Sequence, residues 1–198
     1  MAHGDDNGLL VPPRLAPVQV VVVAVRDEPD VIAAADQVAK SLAEAGVRVE
    51  LDRGRGSFGR RVTDWEIKGV PLRVEVGPRD LAQGLVTMVR RDTGEKMPRA
   101  LDTLANEVPA LLETMQGDLF ARALRHRDEN THDVTSVAGA LEATKDGFAR
   151  LAWDLVAGEG ERELNAEAVT VRCLLRKDGS MPASDEESEL VALVAKSY

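Results

Sequence analysis

Val18 to Val25 is an apolar run broken only by Gln19. Its length and β-branching predict a strand covered on both faces, as in a parallel sheet. Val31, Ala34, Ala35, Val38, Leu42 and Ala45 then recur at helical spacing, so a helix from about Val31 to Ala45 is expected, with Asp30 as its cap and Gly46 as its stop. A second strand, Val47 to Leu51, follows at once. Strand, helix and strand joined by short connections form a βαβ unit, which requires parallel pairing and a right-handed crossover. After a Gly- and Arg-rich loop, Asp52 to Gly59, come a short helix from Arg60 to Lys68 and strands at Leu72 to Val76 and Leu85 to Val89. A long helical pattern runs from about Arg99 to Arg127, with Leu101, Leu104, Ala105, Val108, Leu111, Leu112 and Met115 inward. Pro109 should kink or restart it.

A break in composition around Asp128 to Asp133 opens a second region. It reads as a helix over 134–146, a strand from Phe148 to Leu155, a helix from Glu159 to Glu167, and strands at Val169 to Leu175 and Leu190 to Ala195. The polar stretch Lys177 to Glu189 is a loop. The expected fold class is α/β: a mixed, partly parallel sheet flanked by helices, followed by a small α+β domain. The expected boundaries are a lead-in over 1–17, a first domain over 18–128 and a second over 129–198. Pro12-Pro13 should make the lead-in extended.

Composition narrows the class. Hydrophobic residues at 44% and charged residues at 30% are ordinary for a globular chain, while aromatics at 3% require an aliphatic core. No apolar run approaches the ~20 residues of a membrane span, and the start MAHGDDNG is unlike a signal peptide. The single cysteine, Cys173, excludes an internal disulfide and suits a reducing compartment, so a cytoplasmic protein without a membrane partner is expected. The net charge is −9, yet Arg48 to Arg99 holds 12 basic against 8 acidic residues. A basic segment in an acidic chain permits a local polyanion contact, and permits a solvated charged surface equally.

The segment DRGRGSFGRRVTDWEIKGVPLRVEVGPRDLAQGLVTMVRRDTGEK, from Asp52 to Lys96, resembles the anticodon-binding domain shared by the class II synthetases for proline, threonine, glycine and histidine. Three features resemble the prolyl-tRNA synthetases of the archaeal and eukaryotic type. They are the lead-in HGDDNGLLVPPRLAP, the wording DWEIKGVPLRVEVGPRD, and an additional C-terminal domain ending in a tyrosine, Tyr198. The resemblance implies a C-terminal portion of a proline–tRNA ligase that binds proline tRNA, without the catalytic domain. The parent enzyme would use ATP and magnesium, and a homodimer is implied for it. This portion alone should be inactive in aminoacylation, with no catalytic residues and no cofactor. A free-standing tRNA-binding or regulatory paralogue is the alternative. A small-molecule domain gripping a phosphate fits less well, since the loop from Gly54 to Gly59 is neither a P-loop nor a dinucleotide fingerprint.

An anticodon is a single-stranded loop, read by splaying its bases and hydrogen-bonding their edges. The candidate residues are Asp52, Arg53 and Arg55 at the end of the second strand and Arg61, Glu66 and Lys68 on the short helix. Arg79 and Asp80 follow the third strand, and Arg90 ends the fourth. A carboxylate, Glu66 or Asp80, paired with a cation, Lys68 or Arg79, would satisfy both edges of a guanine. Each of these also has a plain surface or turn role open to it, and Trp65 reads as packing. Many relatives hold zinc through four cysteines in the last domain. With Cys173 alone, no metal is expected here.

Overall fold

The structure, a computed structural model, describes residues 3–54 and 56–197. Two of the residues singled out above, Arg55 and Tyr198, lie outside the described residues. The chain divides into two units, Met1–Ala121 and Arg122–Tyr198.

The first unit begins with a hairpin, β1 (Gly4–Asp5) and β2 (Gly8–Leu9), and then carries β3 (Val20–Ala24), α1 (Pro29–Glu44), β4 (Val49–Asp52) and α2 (Phe58–Lys68). Next come β5 (Leu72–Val76), the single turn α3 (Pro78–Leu81), β6 (Leu85–Arg90), β7 (Lys96–Ala100) and α4 (Leu104–Glu129), the last entered through a 3₁₀ turn at Leu101–Thr103 and assigned to the second unit from Arg122 on. The main sheet has the order β4-β3-β5-β6-β7. The first three strands are parallel and the last two antiparallel, the mixed sheet expected.

One face of this sheet is sealed. Val20, Val22, Ala24, Leu72, Val74, Val76, Val86 and Met88 pack there against Val31, Ala35, Val38 and Leu42 of α1 and Leu104, Val108, Leu112 and Met115 of α4. Side chains alternate along a strand, so the other face shows the intervening residues. On β3 these are Val21 and Val23, which with Trp65 and Val70 form a small second core under α2. On β5 and β6 they are Arg73, Glu75, Thr87 and Val89. Beyond α2 this face turns polar.

Several local expectations are corrected. Helix α1 starts at Pro29 with Glu28 as its N-cap, and Asp30 sits inside its first turn, because proline's fixed φ suits the first helical position. Residues 96–100 form strand β7 where a helix start was expected; Pro98 is tolerated on this edge strand. Pro109 neither ends nor restarts α4, which continues through it to Glu129. Pro13 is not extended: it lies in a turn closed by the Pro12 carbonyl, which accepts from the amides of Leu15 and Ala16, and Leu10 and Ala16 are buried.

The second unit adds β8 (Thr131–Asp133), α5 (Val137–Ala143), β9 (Phe148–Ala152), α6 (Trp153–Val156), α7 (Glu159–Ala166), β10 (Val169–Leu175) and β11 (Val191–Lys196). Its sheet order is β10-β11-β9-β8, over a core of Ala140, Ala149, Leu151, Val156, Leu164, Val169, Ala192 and Val194. Strand β8 and helix α6 were not expected; three and four residues are too few to show a period. Cys173 is half-buried on β10, and among the described residues no group of three His, Cys, Asp or Glu is arranged to hold a metal ion. Among the described residues no helix is long and apolar enough to cross a membrane.

The loop after β10 is tied by its own charges. Arg176 donates to both oxygens of Glu187 at 2.7 and 2.8 Å, and the Ala183 amide donates to Glu187 at 2.6 Å. These bonds, that from Arg176 foremost, hold the Glu187 carboxyl below its usual range. Asp178 is likewise lowered, chiefly by the hydroxyl of Ser180. A carboxyl lowered on folding stabilises above its unfolded value and loses that contribution as pH falls through the folded one. Amide protection across 177–189 should therefore hold at neutral pH and fade below about pH 4. Protection unchanged at pH 3 would contradict this.

Candidate nucleic-acid interface

Two of the clefts on the first unit open toward opposite ends of the parallel strands. The one at the carboxyl ends of β3 and β4 measures about 510 Å³ and is lined by Arg26, Asp27, Asp52, Arg53, Gly54 and Arg61 among others. Here the predicted residues Asp52, Arg53 and Arg61 are brought together, but mostly to serve one another. Asp52 is buried and accepts from the Trp65 indole Nε1 at 2.7 Å and the Gly54 amide at 2.6 Å, with Arg61 Nη1 at 3.6 Å. Arg61 Nη2 donates to the Ala24 carbonyl at 2.6 Å, and its buried Nε has no hydrogen-bond partner among the described residues. Arg53 is exposed and pairs with Asp36 on α1. The geometry is that of a loop fastened to its strand.

Arg79 is exposed on α3, its carbonyl accepting from the Gln83 side chain. Asp80 accepts from the Thr87 hydroxyl at 2.9 Å. Lys68 points away from Glu66, its ammonium 3.9 Å from the centre of the Trp65 ring, a cation–π contact that keeps it at the edge beside β4.

The second cleft, about 540 Å³, lies between α2 and the β6–β7 hairpin. Val21, Val62, Val70 and Val89 give it apolar surface, and Glu66, Arg73, Arg90, Arg91 and Lys96 give it charge. Glu66 and Arg90 were predicted; Arg73, Arg91 and Lys96 were not. Arg73 rises from the open sheet face with only 10% of its side chain exposed. Its Nε donates to Glu75 at 2.8 Å and its Nη1 to Glu66 at 3.0 Å. The alternation of LRVEV could have shown Arg73 and Glu75 on one face; what hid them is that a strand centre usually faces a core.

The hairpin wall is stiff. Arg90 is buried and donates to Asp92 at 3.0 and 2.8 Å and to Asp118 of α4 at 2.7 Å. Those carboxylates, Asp92 first, hold its already high pKa higher still against the effect of burial. Arg91 donates to both oxygens of Asp5 at 3.1 and 2.7 Å and to the Glu66 carbonyl at 3.2 Å. The N-terminal hairpin thus closes one side of the cleft. Of the basic residues between Arg48 and Arg99, Arg53, Arg61, Arg73, Arg90, Arg91 and Arg99 are engaged in ion pairs within the fold. Among the described residues of that segment, the exposed Lys96 has no ion pair, and it sits at the cleft.

A family profile described as "Anticodon binding domain" matches residues 19–111, a span that includes the first cleft and all of the second except its N-terminal hairpin wall. A proline–tRNA ligase of Frankia casuarinae is 59% identical over 200 residues, covering 100% of this chain and 43% of its own length. One from Frankia alni is 56% identical with the same coverage.

The chain belongs to the proline–tRNA ligase family.

The crystal structure of prolyl-tRNA synthetase from Cryptosporidium parvum complexed with L-proline and AMP superposes with a TM-score of 0.85 at 29% identity, over 100% of this chain and 44% of that one. The family resemblance and the fold class drawn from sequence are thereby confirmed. The chain spans less than half the length of these proline–tRNA ligases.

Proposed function

We infer that the first unit reads the anticodon of proline tRNA in the cleft between α2 and the β6–β7 hairpin, as the RNA-recognising part of a proline–tRNA ligase. The observation that carries this is the convergence of Glu66, Arg73 and Lys96 around one cleft with apolar walls, inside the region matched by an anticodon-binding profile. The proline anticodon ends in two guanines by the genetic code. A guanine edge offers N1–H and N2–H donors, which a carboxylate accepts, and O6 and N7 acceptors, which Arg or Lys can bond. Glu66 supplies the first kind of partner, Arg73 and Lys96 the second, and the valines supply apolar contact for an unstacked base. Arg53 and Arg79, exposed at the opposite strand ends, are assigned to backbone phosphates, with Asp52 and Arg61 holding the loop that presents Arg53. In the parent ligase, a cytoplasmic homodimer, ATP and magnesium would activate proline in the remaining length of the enzyme.

The test is binding of anticodon stem-loop RNAs at fixed salt, since phosphate contacts make every affinity salt-dependent. The stem-loop with the proline anticodon should bind this chain more tightly than stem-loops with either guanine replaced. Arg73→Ala should weaken the proline stem-loop about tenfold to a hundredfold and leave the altered ones nearly unchanged, the size expected for one lost base contact. Equal affinity for all the RNAs would end this reading.

A further inference from the structure

We propose that Glu75 is a positioning residue for base recognition: it holds Arg73 in place so that Glu66 is free to exchange Arg73 for a guanine. This rests on the anticodon reading above. Arg73 is shared by two carboxylates of different exposure. Glu75 comes two residues later on the same strand, on the same face, and its side chain is 13% exposed; it accepts from Nε. Glu66 lies on the neighbouring helix with 38% of its side chain exposed and accepts from Nη1. The remaining nitrogen, Nη2, bonds no described residue and is left for the cleft.

The two contacts therefore have different tasks. A buried guanidinium stripped of its only carboxylate is strongly destabilised, so a single Glu66–Arg73 pair would resist opening. With Glu75 already engaged at Nε, Glu66 can turn toward the N1–H and N2–H of an entering guanine while Arg73 stays compensated and aimed. Arginine's planar fork makes this possible, because fixing Nε fixes the directions of both Nη groups. Glu75 need not touch the RNA.

Electrostatics and positioning predict opposite signs, which makes the idea testable. Removing a negative charge beside a polyanion should tighten RNA binding generally. If Glu75 positions Arg73, Glu75→Ala should instead weaken the proline stem-loop about tenfold while the altered stem-loops bind equally well or better, so the preference for the proline anticodon falls about tenfold or more. Glu75→Gln keeps an oxygen acceptor for Nε and should retain most of that preference. Should Glu75→Ala fail to melt cooperatively, Glu75→Met fills the site and is read in its place. An unchanged preference, or equal weakening of all RNAs, overturns the proposal. Arg73→Ala, measured in parallel, separates the two levels. If it abolishes the preference while Glu75→Ala does not, positioning alone is wrong; if neither matters, the cleft reading itself falls.

Discussion

Asp52→Ala should cost the chain about 3–5 kcal/mol of stability, the range measured when one partner of a buried ion pair is removed. Asp52 is the end residue of β4 and the junction of three contacts: the Trp65 indole, the Gly54 amide and the Arg61 guanidinium. With alanine there, the Trp65 and Gly54 N–H groups lose their acceptor, each orphaned donor costing about 1–3 kcal/mol where water cannot replace it. Arg61, already carrying an unpartnered Nε, loses its nearest carboxylate. Asn at this position retains an acceptor oxygen and should recover part of the loss. Urea unfolding followed by circular dichroism measures both. A midpoint within about 1 kcal/mol of the parent for alanine would show that the indole and the loop find other partners. Because the net stability of a domain is about 5–15 kcal/mol, this substitution can unfold a substantial fraction of the chain at physiological temperature.

That prediction also marks what the sequence could and could not say about the site. Asp52 was identifiable as important, since an acid at a strand end before an Arg- and Gly-rich loop is a common ligand position. Its partner was not: nothing along the chain announces that Trp65, thirteen residues later, would turn its Nε1 back onto it. The same limit applies at the cleft. The sealed face of the sheet was legible because apolar residues alternate along β5 and β6 and repeat at helical spacing on α1 and α4. The open face was legible only within one strand, where LRVEV puts Arg73 and Glu75 on the same side. Arg73, Glu75 and Lys96 become neighbours of Glu66 only once β6 and β7 are laid beside β5 and α2 is packed over β3, which are long-range events. Charge counting left two readings open for the same reason. An excess of arginine permits a polyanion contact or a solvated surface equally, and only the fold shows that Arg53, Arg61, Arg73, Arg90 and Arg91 each meet a carboxylate.

The missed strand β7 teaches a related point. Lys96-Met97-Pro98-Arg99-Ala100 has one buried residue and a proline, a poor match to any strand template. It forms because its partner β6 already presents an open edge and because the turn Arg91 to Glu95 returns the chain in register, Val89 opposite Lys96. The consequence is functional: that register delivers Lys96 to the mouth of the cleft.

Gly69→Ala should be the other severe substitution, and its effect should reach RNA binding through the N-terminal hairpin. Gly69 follows α2 in the left-handed region, φ 71°, and closes the helix with its amide on the Glu66 carbonyl. A methyl group there would lie 2.5 Å from Cβ of Leu9 and 2.7 Å from the Leu9 backbone, neither of which is a flexible side-chain end. The conformational cost of about 1–2 kcal/mol is therefore joined by an overpacking cost of about 1–3 kcal/mol. Gly46→Ala isolates the first of these costs. Gly46 stands just past the end of α1 with φ 81°, and a methyl group there meets nothing within 4 Å. Both variants should melt earlier than the parent, but Gly69→Ala alone should raise amide exchange across residues 4–11, because relief of the contact lifts β2 from α2. Lifting β2 withdraws Asp5 from Arg91, and with it one wall of the cleft. The proline stem-loop should then bind several-fold more weakly to Gly69→Ala than to Gly46→Ala at a temperature where both are folded. Matching affinities and matching exchange would mean that the hairpin is a passenger on α2, and that the cleft does not depend on it.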